Sequence, residues 1–222
     1  MTSIRCHPKH AARHDLVEIG RRLYARGYIV ATDGNLSARV APDRMLITPG
    51  GVCKGEMHPD DLVTCNLPDG APAGGRPSSE LPMHLAVYAQ RPDVAAVIHA
   101  HPPVAVVCSL AGVDLSEPVL PEVLMTLGSI PTTPFAVPSS PEGASAVREF
   151  VQHHDALILD RHGTLTVGAD PWEAFRRLER LVFAARVMIC ARMIGDVKKL
   201  TPEQIARITA AAEALRIDPS NL

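Results

Sequence analysis

The 222-residue sequence predicts an α/β fold, a mixed sheet covered by helices. Three observations carry that reading. Short apolar runs closed by turn residues, "DVAAVIHAH" and "DALILD", have the length and composition of buried strands. Long segments with apolar residues at helical spacing, above all "PWEAFRRLERLVFAARVMICARMIG", interleave with them. Hydrophobic residues make up 46% of the chain and charged residues 21%, the balance of a globular enzyme with a full core. One domain spanning residues 1–222 is therefore expected, with the Pro- and Gly-rich "NLPDGAPAGGRPSS" as a loop inside it.

Residues 12–27 place Leu16, Ile19, Leu23 and Tyr24 at helical spacing, and Gly27 ends the run. "MLITPGG" and "LVTCNLPDG" read as short strands with turn signals. Ser79 is placed to cap a helix through "ELPMHLAVYAQ", where Pro82 sits in a first turn whose N–H groups lack intrahelical partners. The strand "DVAAVIHAH" stops at Pro102 and Pro103, and the helix "PVAVVCSLAG" follows with Gly112 as its stop. Next come a helix "PEGASAVREFVQHH", the strand "DALILD", a turn at His162-Gly163 and the strand "TLTVG". The long helix and a last one, "TPEQIARITAAAEALR", complete the chain.

Several function classes are disfavoured at once. A formal net charge of -2 announces no nucleic-acid or anionic-lipid surface. No apolar stretch reaches the roughly 20 residues that cross a bilayer, and "MTSIRCHPKHAARHDLVEIG" lacks the apolar core of a secretory signal. Five scattered cysteines, odd in number and never spaced C-x-x-C, argue against a disulfide framework or thiolate zinc site and for a reducing cytoplasm.

The chemistry begins at "AAVIHAHPP", residues 95–103. Strand side chains alternate faces, so His99 and His101 project together while Ala100 points away. Two imidazoles at a strand mouth are half a metal site, and His162, just beyond "DALILD", is a third ring if both strand ends reach one rim. A lone histidine is ordinarily a packed or turn residue; the H-x-H pair is what tilts the balance. In "RPSSELPMH" a helix N-terminus with Ser78 and Ser79 suits an anion such as phosphate. Glu80 is either an acid favoured by the helix dipole or a ligand and base beside the histidines, and His84, four residues on, reads as a packing residue. "ATDGNLSAR" and "ITPGGVCKGEM" read as turn-rich loops able to bring backbone N–H groups to an anion, though neither has nucleotide-loop spacing. Lys54 is as readily a solvated lysine as a phosphate partner.

In this order, "GNLSAR", "ITPGG", "PSSE", "VIHAHPP" and "LDRHGTLTVG", from Asn35 to Gly168, resemble the class II aldolase/adducin-head family. The resemblance implies a three-layer, largely antiparallel sheet and a Zn2+ ion (or Mn2+, Co2+ or Fe2+) held by His99, His101 and His162. Glu80 is then a resting-state ligand and the base that moves a carbon-bound proton of dihydroxyacetone phosphate. Asn35, Gly50, Gly51, Ser78 and Ser79 would hold the phosphate of a small phosphorylated sugar, in homotetramers with active sites between subunits. The implied reaction cleaves a ketose 1-phosphate to dihydroxyacetone phosphate and an aldehyde.

Two departures bear on the substrate. Gly50-Gly51 stands where the family's fuculose aldolases carry Thr-Gly. No tyrosine follows Tyr88, whereas those enzymes use tyrosines, one in the C-terminal tail, near the aldehyde. Glu122 in "EPVLPEVLMTLGS" is a candidate acid/base there. An aldehyde other than L-lactaldehyde is expected, with deoxy- or methylthio-ribulose 1-phosphate as examples of the substrate. The alternatives on the same framework are a 4-epimerase, a dehydratase and a 3-oxo-acid-phosphate decarboxylase. A non-catalytic adducin-like binding module is disfavoured by the metal histidines.

Overall fold

In the computed structural model, which describes residues 4–214, seven strands form one sheet. They are β1 (Asn35–Ala41), β2 (Arg44–Ile47), β3 (Val63–Asn66), β4 (Ala96–Ala100), β5 (Thr132–Thr133), β6 (Ala156–Leu159) and β7 (Gly163–Gly168). Their order is β3-β2-β1-β4-β7-β6-β5, and every neighbouring pair is antiparallel except β5–β6. The helices are α1 (Lys9–Ala25), α2 (Leu81–Gln90), α3 (Pro103–Leu110), α4 (Pro121–Thr126), α5 (Pro141–Val151), α6 (Pro171–Ile194) and α7 (Pro202–Ala214).

Strand alternation builds the three layers. In β4, Ala96, Ile98 and Ala100 join the core under α1 and α6, while Val97 faces the core under α2 and α5. A third cluster, around Cys108, Leu127, Ile158 and Leu181, closes the sheet under α3, α4 and α6. Side-chain caps start two of the covering helices: Asp170 accepts the Glu173 N–H at α6, and Ser140 that of Glu142 at α5. Among the described residues no helix is long and apolar enough to cross a membrane.

The layered, largely antiparallel α/β expectation holds, with corrections in detail. "NLSARVA" is a strand rather than a turn-rich loop, and α4 and β5 were not foreseen. The first residue outside α2 is Glu80, not Ser79; Glu80 donates its N–H to Ser78 Oγ at 3.3 Å. Gly27 and Gly112 do end α1 and α3, both with positive φ (65° and 62°) that a side chain would oppose. The tail "LRIDPSNL" lies outside the described residues.

Candidate metal centre

β4 carries His99 on the face toward α2, with Val97, and His101 stands just past its last residue. Their rings meet edge to face at 4.6 Å between centroids. β6 and β7 form a hairpin in which Leu159 pairs with Gly163, and the turn between them holds Arg161 at φ 58° and delivers His162. The His162 ring lies 4.7 Å from that of His99 and 4.9 Å from that of His101. Gly163 is required by close approach rather than by its own turn. A Cβ there would meet Ala100 O at 2.5 Å and His101 Cδ2 at 2.6 Å.

Glu80 completes the group from the N-terminus of α2. Its Oε2 lies 3.0 Å from His99 Nε2 and its Oε1 3.6 Å from His162 Nε2. Donor atoms of Glu80, His99, His101 and His162 all fall within 4.8 Å of one another. The carboxylate makes no capping bond; it accepts from Asn35 Nδ2 at 2.9 Å instead.

His99 Nδ1–H donates to Thr164 O at 2.8 Å, which turns Nε2 inward to face Glu80 Oε2. His101 turns Nε2 to within 2.8 Å of that nitrogen and sets Nδ1 3.6 Å from Asp33 Oδ2. Burial, then the neighbouring imidazoles, pushes His101 down to about 3. Burial likewise pushes His162 down to about 4. Burial alone raises the Glu80 carboxyl, but the His99 ring and the bonds from His99 and Asn35 outweigh it and hold the group well below the usual carboxylate range. Neutral imidazoles and an ionised carboxylate are the forms that ligate a cation, and the facing ring nitrogens could share one. Three nitrogens and one carboxylate fit a divalent metal of the zinc, manganese, cobalt or iron type.

The expected phosphate residues split. Segments 49–51 and 76–78 run side by side through the Pro49–Pro77 bridge, Gly50 N–H to Arg76 O and Ser78 N–H to Thr48 O, so Gly50, Gly51 and Ser78 share one rim. Ser79 Oγ lies 3.0 Å from Ser139 Oγ across that rim. Asn35 is 3% exposed, and both ends of its amide are engaged within the protein. Glu122 is exposed in the first turn of α4, a helix packed on α6 and α7, and is not brought to the cluster within this chain.

Two residues carry more than their sequence signal suggested. His84 is fully buried and bonded through both ring nitrogens; the spacing Glu80–His84–Tyr88 at intervals of four was its available sign. Lys54, 2% exposed, donates to Thr32 O at 2.5 Å, and burial pushes its ammonium down. No pattern in "GGVCKGEM" marks it as buried. Beside the cluster lies an open cleft lined by Glu80 and His162 on one side and mostly by apolar groups on the other.

Residues 14–189 match the Class II Aldolase and Adducin N-terminal domain family. The chain belongs to this class II aldolase family. Among its class II relatives, a 3-oxo-tetronate 4-phosphate decarboxylase of Escherichia coli is 30% identical over 206 residues, 90% of this chain and 96% of that protein. An L-fuculose phosphate aldolase of Methanococcus maripaludis is 33% identical over 173 residues, 78% and 93% of the two chains. The crystal structure of the YgbL protein of Klebsiella pneumoniae superposes with a TM-score of 0.83 at 30% identity, covering 91% of this chain and 99% of that one. These class II members place different reactions on one fold, so the reaction has to be argued from the site.

Proposed function

We propose that the chain is a metal-dependent carbon–carbon lyase that converts a small 3-oxo acid phosphate, 3-oxo-tetronate 4-phosphate or a close homologue, to dihydroxyacetone phosphate and carbon dioxide. The observation that carries the reading is the convergence of His99, His101, His162 and Glu80 beside the rim formed by Gly50, Gly51, Ser78 and Ser79. His99, His101 and His162, with Glu80, would hold the metal. When bound, the metal supplies Lewis acidity to a carbonyl and its neighbouring hydroxyl oxygen. The Gly51 and Ser79 N–H groups and the rim's hydroxyls would hold the phosphate and so fix which bond faces Glu80.

Breaking the C1–C2 bond of such an acid leaves the enediolate of dihydroxyacetone phosphate, which takes one proton at C2. Glu80, ionised at rest, is placed to relay that proton from water. Aldol cleavage of a ketose 1-phosphate leaves the same enediolate and is the second reading, supported by the likeness to the fuculose phosphate aldolase. One feature favours loss of carbon dioxide. The cavity wall near Glu80 includes Met83, Pro134, Ala136, Pro138, Ala144 and Leu159, and among the described residues the lining holds no tyrosine and Asp160 as its only other acid. Carbon dioxide leaves from a carboxylate with no proton to remove, whereas aldol cleavage needs a base to take the hydroxyl proton as the aldehyde carbonyl forms. Phe135 and Val137, 62% and 50% exposed in the segment bordering the cavity, support a homotetramer in which a neighbouring copy covers the site.

The test supplies metal-loaded protein with 3-oxo-tetronate 4-phosphate, fuculose 1-phosphate, and deoxy- and methylthio-ribulose 1-phosphate. Dihydroxyacetone phosphate is followed by coupled NADH oxidation, and carbon dioxide separately. Equal amounts of both products from the first substrate, abolished by chelator and restored by metal, are expected. Dihydroxyacetone phosphate from a ketose alone transfers the conclusion to aldol cleavage, and none from any substrate overturns both.

A further inference from the structure

We infer that His84 is a positioning residue for the Glu80 carboxylate, acting through the Asn35 amide at the end of a one-directional chain of hydrogen bonds that begins at Tyr88. The inference rests on the reading of Glu80 as ligand and proton carrier.

Four links make the chain. Asn35 Nδ2 meets Glu80 Oε2 at 2.9 Å, and His84 Nε2 meets Asn35 Oδ1 at 2.6 Å. Ser37 Oγ meets His84 Nδ1 at 2.7 Å and Tyr88 Oη at 2.8 Å. Its direction follows from what each group can offer. An ionised carboxylate only accepts, so Asn35 presents its NH2 to Glu80 and its oxygen to His84. His84 must then donate from Nε2, which leaves Nδ1 bare, because burial pushes its imidazole down to about 3 and keeps it neutral. Ser37 must donate to Nδ1, and its own lone pair takes the Tyr88 hydroxyl proton. Every proton points toward one oxygen of Glu80.

The spacing is built into two elements. Asn35, Ser37 and Arg39 alternate along β1 on the face toward α2, and Glu80, His84 and Tyr88 recur every fourth residue. Two strand residues advance about 6.7 Å and four helix residues about 6.0 Å, so the two series interlock as rungs. Arg39 closes the ladder, donating to Tyr88 O at 2.7 Å with its guanidinium 4.9 Å from the ring centre. Asn35 also sits opposite His99 in the β1–β4 register, so one strand pair sets both the metal face and the Glu80 anchor. Apolar residues would fill this space without the cost of burying five polar groups. The arrangement instead pins Oε2 with the Asn35 N–H and leaves Oε1 toward His162 and the cavity, free to exchange a proton.

The experiment uses the full chain and Co2+ as probe, reading its dissociation constant and visible absorption in wild type, His84→Leu, His84→Gln and Ser37→Ala. In parallel, nitrogen-15 NMR of the wild type reads the His84 tautomer. His84→Leu is expected to weaken Co2+ binding roughly tenfold or more and to alter the absorption band. His84→Gln, which keeps a donor near Nε2, recovers most of that loss; Ser37→Ala falls between them; and the NMR shows protonated Nε2 with bare Nδ1. Wild-type binding and spectrum in His84→Leu, or a proton on Nδ1, overturns the inference. Should His84→Leu fail to fold, Ser37→Ala and the wild-type tautomer decide in its place. A wild type that takes up no Co2+ overturns the metal reading and this inference together, whereas uptake that the variants leave unchanged overturns this inference alone.

Discussion

His84 allows a sharp test of what burial does in this molecule. It is 0% exposed, and burial pushes its imidazole down to about 3. Unfolded, the same ring titrates near 6.5. The folded value lies below the unfolded one, so between the two the unfolded chain binds the extra proton, and stability falls as pH is lowered. The contribution is intact above about pH 6.5 and declines by about 1.4 kcal/mol per pH unit below it. From pH 7 to pH 5 this amounts to about 2 kcal/mol for this single ring, a large part of a typical 5–15 kcal/mol total. Urea unfolding of metal-free wild type and His84→Gln at both pH values, at one protein concentration, isolates it. His101 and His162 titrate in the same direction in both proteins and cancel in the comparison. Wild type is expected to lose about 2 kcal/mol more than the variant. Losses that agree within about 0.5 kcal/mol, the usual additivity error, would refute the claim that His84 is held neutral.

Three further outcomes are expected. Glu80→Gln keeps the shape and the Asn35 contact but removes the proton carrier, so kcat on whichever phosphorylated substrate the wild type turns over falls about 10²–10⁴-fold; steady-state kinetics showing an unchanged kcat would remove Glu80 from proton transfer. Gly163→Ala places a methyl 2.6 Å from His101 Cδ2 and 2.5 Å from Ala100 O, so calorimetric titration is expected to show weakened Zn2+ binding; wild-type affinity would mean His101 is not a ligand. Asp155 holds Arg91 at 2.9 Å and Arg177 at 3.0 Å, and the Arg177 side chain is 2% exposed. Asp155→Ala therefore costs about 3–5 kcal/mol in urea unfolding, and a loss under about 1 kcal/mol, the scale of a surface pair, would show the network to be dispensable.

The metal set was legible because it rests on backbone periodicity. A two-residue repeat at the end of an apolar run puts His99 and His101 on one side whatever surrounds them, and a hairpin turn puts His162 at the same edge. The polar ladder was harder to read. The Gly, Ser, Thr and Asn content of "ATDGNLSAR" reads as a turn and masks the alternation of Leu36 and Ala38 with Asn35, Ser37 and Arg39, whose polar side is buried under α2. His84 was read as packing because only its partners, distant in sequence, reveal that both nitrogens are used. Gly163 reads as a turn residue, but its reason is the approach of His101; Lys54 reads equally as a solvated lysine or a phosphate partner, but it is enclosed. β5 and α4, two and six residues long, are shorter than a period can establish.

The divergence of reactions among the relatives has a counterpart in how the site is supported. His99, the Asn35 anchor and the start of β7 lie on central, mutually paired strands, and Glu80 is held against them by the ladder from α2. On the proposed reading that half would form and quench an enediolate, and it would serve decarboxylation and aldol cleavage alike. The other half of the cavity comes from residues 133–139 and the first turns of α5, on the side of β5, a two-residue strand at the sheet edge. Changes there are expected to alter which group leaves without moving the ligands, because β6 and β7 lie between that edge and β4. Introducing an acid there, by Ala136→Tyr, therefore tests the division directly. It should leave Zn2+ affinity within about twofold of wild type, the scale of a distant, uncoupled change, while shifting the ratio of aldehyde-releasing to carbon dioxide-releasing turnover. A large loss of metal affinity would show that the two halves are one unit, and that the leaving group cannot be chosen independently of the cation.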